Sequence, residues 1–297
     1  MQNSLFAGQE FIAAAPFKSQ LLKWIGNKQR FAHEIVSYFP ASARTYFEPF
    51  LGSGAVLATL APKSAVASDA FAPLIEIWTA LLDAPDELCG WYRERRERAR
   101  SRSNEDVYEE VKASFNARPN GADLVYLCRA CYGGVVRFRK RDGHMSTPCG
   151  PHQPISPDSF ARRVELWRAR CRHVEFHHCD YEESMSRAKR GDLVYCDPPY
   201  FDTQSIVYGA QGFDFPRLFD AIERCKRKGV FVALSIDGTK RSGDKDCDAP
   251  IPDGLFEVEA TVNCGRSMLR RFQMAGQTLE HEVVSDRLLL TYPVPGV

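Results

Sequence analysis

No apolar run in this chain approaches the ~20 residues needed to cross a bilayer. The N-terminus also lacks the charged, apolar and small-residue order of a secretory leader, so a soluble cytoplasmic protein is expected. The ten cysteines are scattered instead of being spaced as the disulfide framework of a small secreted domain. There is no internal repeat and no low-complexity tract. No full G-x-G-x-x-G is present and no glycine loop carries a Walker lysine, which argues against a dinucleotide or a P-loop nucleotide. The net charge is only +1, so overall charge points to no polyanionic partner.

The 297 residues, 44% of them hydrophobic, suffice to build a core for one large domain or two ordinary ones. The charge is unevenly distributed. Residues 90–172 hold 18 Lys plus Arg against 10 Asp plus Glu, a net of +8, which leaves 21 basic and 28 acidic residues elsewhere, a net of −7. Arg93, Arg95, Arg96, Arg98, Arg100 and Arg102 crowd one expected helix, where Glu94 and Glu97 make a solvated face an equal alternative. Arg137, Arg139, Lys140 and Arg141 crowd one expected loop with no acid before Asp142, a pattern suited to phosphate or base contacts.

The most informative run is Val194-Tyr195-Cys196-Asp197-Pro198-Pro199-Tyr200. Leu193 to Cys196 reads as a short buried strand, and the two prolines cannot donate to a ladder, so the strand ends at Asp197. The segment then leaves extended or in a turn. Asp197 and the Pro198 carbonyl therefore offer acceptors to a cleft beside the ring of Tyr200, a combination suited to a planar amino group. An Asp-Pro-Pro turn after a core strand is the structural alternative.

Around this run the chain reads as α/β. Tyr46-Phe47 leads into Glu48-Pro49-Phe50-Leu51-Gly52-Ser53-Gly54 and a helix over 55–60. A second unit follows, with a strand over 65–68 ending at Asp69 and a helix over 74–82. Two successive β-α units imply a parallel sheet with ligands at the carboxyl ends of its strands. Residues 86–170 break the pattern with helical periodicity and a Gly/Pro-bearing stretch. The α/β pattern resumes with a strand over 174–177, Asp180 opening a helix over 181–187, the 193–196 strand, a helix over 215–228, and strands over 230–236, 255–262 and 287–292. The division expected is a discontinuous catalytic domain, 18–85 with 171–297, and an inserted subdomain, 86–170.

The small residues of the glycine loop suit close backbone approach by a ligand, and Asp69 stands where an acid binds ribose hydroxyls or else caps the following helix. Cys128-x2-Cys131 with Cys149-x2-His152 has zinc-like spacing. The apolar helix around the first pair favours buried thiols instead, and no metal is assigned.

Three further segments, Leu22-Lys23-Trp24-Ile25-Gly26-Asn27-Lys28, Tyr132-Gly133-Gly134-Val135-Val136-Arg137 and Cys179-Asp180-Tyr181, complete an ordered set. With the glycine loop and Asp197-Pro198-Pro199-Tyr200 they resemble the Dam-type, alpha-group, D12-class adenine-N6 DNA methyltransferases, over nearly the whole chain from about Leu21 to Tyr292. The resemblance implies a Rossmann-like S-adenosyl-L-methionine-dependent methyltransferase fold. Its sheet is mostly parallel with the last strand antiparallel, and the insert is a mainly helical target-recognition subdomain. It implies catalysis by Asp197, Pro198, Pro199 and Tyr200 on a base flipped from the duplex. A cofactor site follows from Trp24, Gly26, Lys28, Glu48, Pro49, Phe50, Gly52, Ser53, Gly54, Asp69, Asp180, Tyr181 and Asp197. For Trp24, Lys28 and Asp180 the structural alternatives are core packing, a surface charge and a helix cap.

The same resemblance assigns DNA contacts to Lys23, Tyr132, Gly133, Val135, Arg137, Arg139, Lys140 and Arg141. Arg137 matches an arginine that reads guanine through O6 and N7. The partners implied are double-stranded DNA and, in a restriction–modification setting, a companion restriction endonuclease, with the enzyme a monomer or weak dimer. GATC leads the candidate sites. Three positions depart from the family pattern, with Gly133 and Arg139 where the hairpin usually carries Asn and Phe71 where Asn is frequent. Cytosine-N4 methylation and a non-catalytic DNA-binding regulator are the competing readings. A cytosine-C5 mechanism is disfavoured because Cys196 faces away from Asp197 along the strand.

Overall fold

A computed structural model describes residues 10–99, 102–139, 141–199, 213–237, 251–266 and 283–295. Its centre is a seven-stranded sheet in the order β3-β2-β1-β4-β5-β7-β6. The strands are β1 (Tyr46–Glu48), β2 (Ala65–Asp69), β3 (Val174–His178), β4 (Leu193–Cys196), β5 (Phe231–Asp237), β6 (Val258–Arg266) and β7 (Val283–Leu290). Neighbours from β3 through β5 pair in parallel, whereas β7 pairs antiparallel with both β5 and β6. The last strand of the chain is thus the reversed one, as expected for a Rossmann-like methyltransferase sheet. β1 and β4 are buried throughout, as strands covered on both faces require.

Helices α1 (Ala32–Val36), α2 (Ala55–Leu60) and α3 (Ala72–Asp83) belong to the first half of the sheet. Between α3 and β3 come α4 (Pro85–Arg98), α5 (Asn104–Ala117), α6 (Gly121–Ala130) and α7 (Pro157–Cys171); α8 (Tyr181–Ser186) and α9 (Phe215–Arg227) follow. Local chemistry sets these boundaries. Ala84 closes α3 and opens α4, with Pro85 at the first helical position. Ser103, Asn120 and Ser156 cap α5, α6 and α7 by accepting from Asp106, Asp123 and Ser159 amides.

The Ser103 cap corrects one expectation. The arginine run does not share one helix, because α4 ends at Arg98 and Arg102 lies in the link to α5, paired with Glu110. Arg95 pairs with Asp123, and Arg98 with Glu94 and Glu110, so these arginines hold helices together.

Helix α6 is buried along almost its whole length and crosses α3 closely. A Cβ on Gly121 would stand 2.9 Å from Glu76 Cβ and 3.0 Å from the Pro73 carbonyl. Buried residues of α3 through α7 share one continuous hydrophobic cluster with β1 and β2. Cys128 and Cys131 are buried in it, their thiols donating to the Val125 and Cys128 carbonyls. Burial pushes the Cys128 thiol up to about 11. Among the described residues no group of three His, Cys, Asp or Glu side chains is placed to hold a metal ion, and no helix is long and apolar enough to cross a membrane.

Candidate active site

Four neighbouring strands carry a carboxylate at or just past their carboxyl ends: Asp180 after β3, Asp69 on β2, Glu48 on β1 and Asp197 after β4. With ~4.8 Å between strands the row spans about 14 Å. All four line one cavity of about 410 Å³, within the usual size of a small-molecule site. Trp24, Gly26, Lys28, Pro49, Phe50, Gly52, Ser53, Tyr181 and Pro199 line it as well.

Each acid is held differently. Asp69 accepts from the Gly52 and Phe71 amides, 3.0 Å each, so it ties the glycine loop to the end of β2. It does not cap α3, whose cap position is Phe71. Burial raises the Asp69 pKa, opposed by those two N–H donors. Gly52 takes a positive φ of 47°, and a Cβ there would meet the Trp24 ring at 3.3 Å. Asp180 caps α8 by accepting from the Glu182 amide, 2.9 Å, and pairs with Arg217, 2.9 Å. Arg217 lies over the Tyr181 ring, and Tyr181 stacks on Phe50 with centroids 5.1 Å apart. This end of the cavity is an aromatic wall with an acid at its rim.

At the opposite end Glu48 is buried and accepts from the Tyr46 hydroxyl, 2.6 Å. Burial pushes the Glu48 pKa up to about 8; the Tyr46 bond opposes the rise and the charge of Asp197 adds to it. Lys28 is 4% exposed and no surface charge. Its ammonium stands 2.9 Å from Asp197 Oδ1 and 3.4 Å from Asp286 Oδ2 of β7. The antiparallel strand thereby supplies a second acid that anchors the lysine facing Asp197.

Beside the cavity, Phe138 pairs with Met145 across a hairpin. Its limbs are held by Thr147, which accepts from the Arg137 amide, and by Asn116 on α5, which bonds the Met145 backbone twice. Side chains alternate along the limb. Val136 and Phe138 point inward, Phe138 lining the cavity and packing on Phe71, while Arg137 is exposed and Arg139 half-exposed. Arg139 and Arg141 both pair with Asp142, and Arg139 also reaches His144. The exposed Lys23 lays its stem against Gly134, where a Cβ would stand 2.8 Å from it, and Tyr132, two residues before Gly134, is exposed as well.

The model of the D12 class N6 adenine-specific DNA methyltransferases matches residues 24–242. The chain belongs to that family. It is 30% identical over 232 residues to the Retron Ec67 DNA adenine methylase of Escherichia coli, covering 74% of this chain and 78% of that protein. It is 27% identical over 229 residues to the type II methyltransferase M1.LlaDCHI of Lactococcus lactis subsp. cremoris (72% and 79%). A DNA adenine methylase of Vibrio cholerae is 26% identical over 227 residues (72% and 79%). The protein is therefore an adenine-N6 DNA methyltransferase, and its family uses S-adenosyl-L-methionine.

The cavity of this methyltransferase gathers most of the cofactor residues named from sequence, and one of them stands elsewhere. Gly54 opens α2 in a left-handed conformation beneath Trp78 and Trp167, and it shapes the loop instead of lining the cavity. Pro198 is buried, Gly133 is exposed and Val135 half-buried. Tyr200 and Lys140 lie outside the described residues. Sequence reasoning missed Asp286, Arg217 and Phe138. Asp286 and Arg217 lie outside the motif-bearing segments, Phe138 sits unremarked between Arg137 and Arg139, and only the placing of β7, α9 and the hairpin brings the three to the site.

Proposed function

We propose that the enzyme methylates N6 of an adenine turned out of a short duplex site into the mouth beside Asp197. In this reading residues 18–85 and 171–297 form the catalytic part and 86–170 the target-recognition part. The ion pair of Lys28 with Asp197 carries the proposal, because it fixes the acid at the mouth of a cavity otherwise suited to an elongated nucleoside ligand.

The cavity fits S-adenosyl-L-methionine. The stacked pair of Phe50 and Tyr181 would form an aromatic wall beside its adenine, Asp180 would accept from the adenine amino group, and Asp69 would accept from the ribose. The glycine loop admits close approach. When bound, the cofactor supplies a methyl group on a positively charged sulfur. The chain's part is placement: Asp197 and the Pro198 carbonyl accept from the target amine and favour sp3 character at the nitrogen, with Tyr200 as the stacking ring. Arg137, exposed on the outward face of the hairpin, reads a guanine, and Lys23 and Tyr132 border the same face. GATC is the site to assay first, with a companion endonuclease and the oligomeric state determined alongside.

Asp197→Ala should lower methyl transfer at least ~100-fold, since an acceptor engaged in the transition state is worth ~3 kcal/mol or more. Lys28 keeps Asp286 in that variant, so the fold should survive. Labelled methyl transfer followed by nucleoside analysis gives the rate and the product. Near-normal turnover, or N4-methylcytosine as product, would overturn the reading.

A further inference from the structure

The opposite edge of the sheet has the opposite chemistry. The segments that lead into the parallel strands carry Arg172 before β3, Lys63 before β2, Arg44 before β1, Lys189 and Arg190 before β4 and Lys228 before β5, all of them exposed. In spatial order these cations cross five adjacent strands, about 19 Å at ~4.8 Å per strand. The one acid in those segments, Asp192, is buried and bonds the Thr45 and Lys189 amides.

Nearby acids neutralise little of the row. Glu183 is taken by Arg187, and exposed Glu175 lies beside His177. Among the described residues, Arg44, Lys63, Arg172, Lys189 and Arg190 have no carboxylate partner. Cations in the last turn of a helix complement its dipole, but Arg44, Lys63, Lys189 and Arg190 stand beyond the ends of α1, α2 and α8. Arg44, Lys189 and Arg190 also rim an open groove of about 420 Å³.

We infer that this edge binds the phosphate backbone of a second DNA segment, distinct from the duplex whose adenine is methylated. Along a duplex axis about 19 Å spans roughly five to six base-pair steps at 3.4 Å each, and unpaired cations are what counterion release uses. The strands between the two edges run about five residues, ~16 Å. The edges face opposite ways, so one straight duplex cannot lie on both. The surface is separate from the methyl-transfer site and goes beyond that reading. It would let the enzyme hold one duplex while acting on another.

The full chain titrated with a duplex of about 12 base pairs, too stiff to wrap onto edges that face opposite ways, should sediment with two duplexes per chain. Arg44→Gln/Lys189→Gln/Arg190→Gln should bind one and methylate that duplex at the unmodified rate. One duplex on the unmodified chain would overturn the inference, as would two on the triple variant. Should the triple variant misfold by circular dichroism, Lys189→Glu alone should weaken the second binding event at least tenfold, and unchanged affinity would sink the idea. A chain that takes two duplexes but methylates neither would refute the proposed catalysis and leave this surface standing.

Discussion

The two edges of the sheet differ in how their charges are held. On the carboxyl edge Glu48 is buried, Asp69 half-buried and Asp197 pinned by a buried lysine, whereas on the amino edge the cations stand in water. Burial makes the acids expensive and their positions fixed, as a site that must align reacting atoms requires. Exposure makes the cations cheap and adaptable, as suits contact with a uniform phosphate backbone. An edge built for chemistry carries stored cost, and one built for contact carries little.

Glu48 should show that cost most strongly. Its folded pKa of about 8 lies above the ordinary value of 4.5, so the native state keeps a proton that the unfolded chain releases between those pH values. Stability should therefore fall as pH rises through that window, by at most ~5 kcal/mol at 1.36 kcal/mol per unit. Denaturant titrations from pH 4.5 to 8.5 measure this slope, and Glu48→Gln should flatten it. A slope unchanged in Glu48→Gln would place the titrating group elsewhere.

Lys28→Met comes next. It leaves Asp197 and Asp286 facing each other without their shared cation, and breaking a buried pair costs about 3–5 kcal/mol. The urea midpoint should drop accordingly and methyl transfer should fall with it. An unchanged midpoint would mean that the lysine is not needed there.

Asp69→Asn keeps the shape of the side chain but removes the charged acceptor. Cofactor affinity measured by calorimetry should weaken by about 1–3 kcal/mol. The smallest effect belongs to the amino edge, where Lys63→Ala combined with Arg172→Ala should shift stability by no more than about 0.5 kcal/mol. A larger loss would show that those cations hold the fold together.

Much of the fold was legible because its signals are local. Glycine loops, prolines after Cys196 and acids ending apolar runs mark strand ends whichever strands turn out to be neighbours. The family match over residues 24–242 agrees with those motifs. What escaped were partnerships between segments distant in sequence. Lys28 reads from its motif as a cofactor-site residue, with a surface charge as the alternative, but its partner Asp286 arrives only with β7, some 250 residues later. Arg139, read as a DNA contact, also pairs with Asp142 within its own turn. The arginine run was split by a serine cap that a count of charges does not register.

The inward turn of Phe138 has a consequence for how such enzymes diversify. The same short limb presents Arg137 to the outside and completes a wall of the small-molecule cavity with Phe138. Under the proposed function, a hairpin that reads DNA is therefore no independent cassette. On that reading, a transplanted loop must bring an aromatic in the same phase as Phe138, or the recipient would lose one wall of its small-molecule cavity.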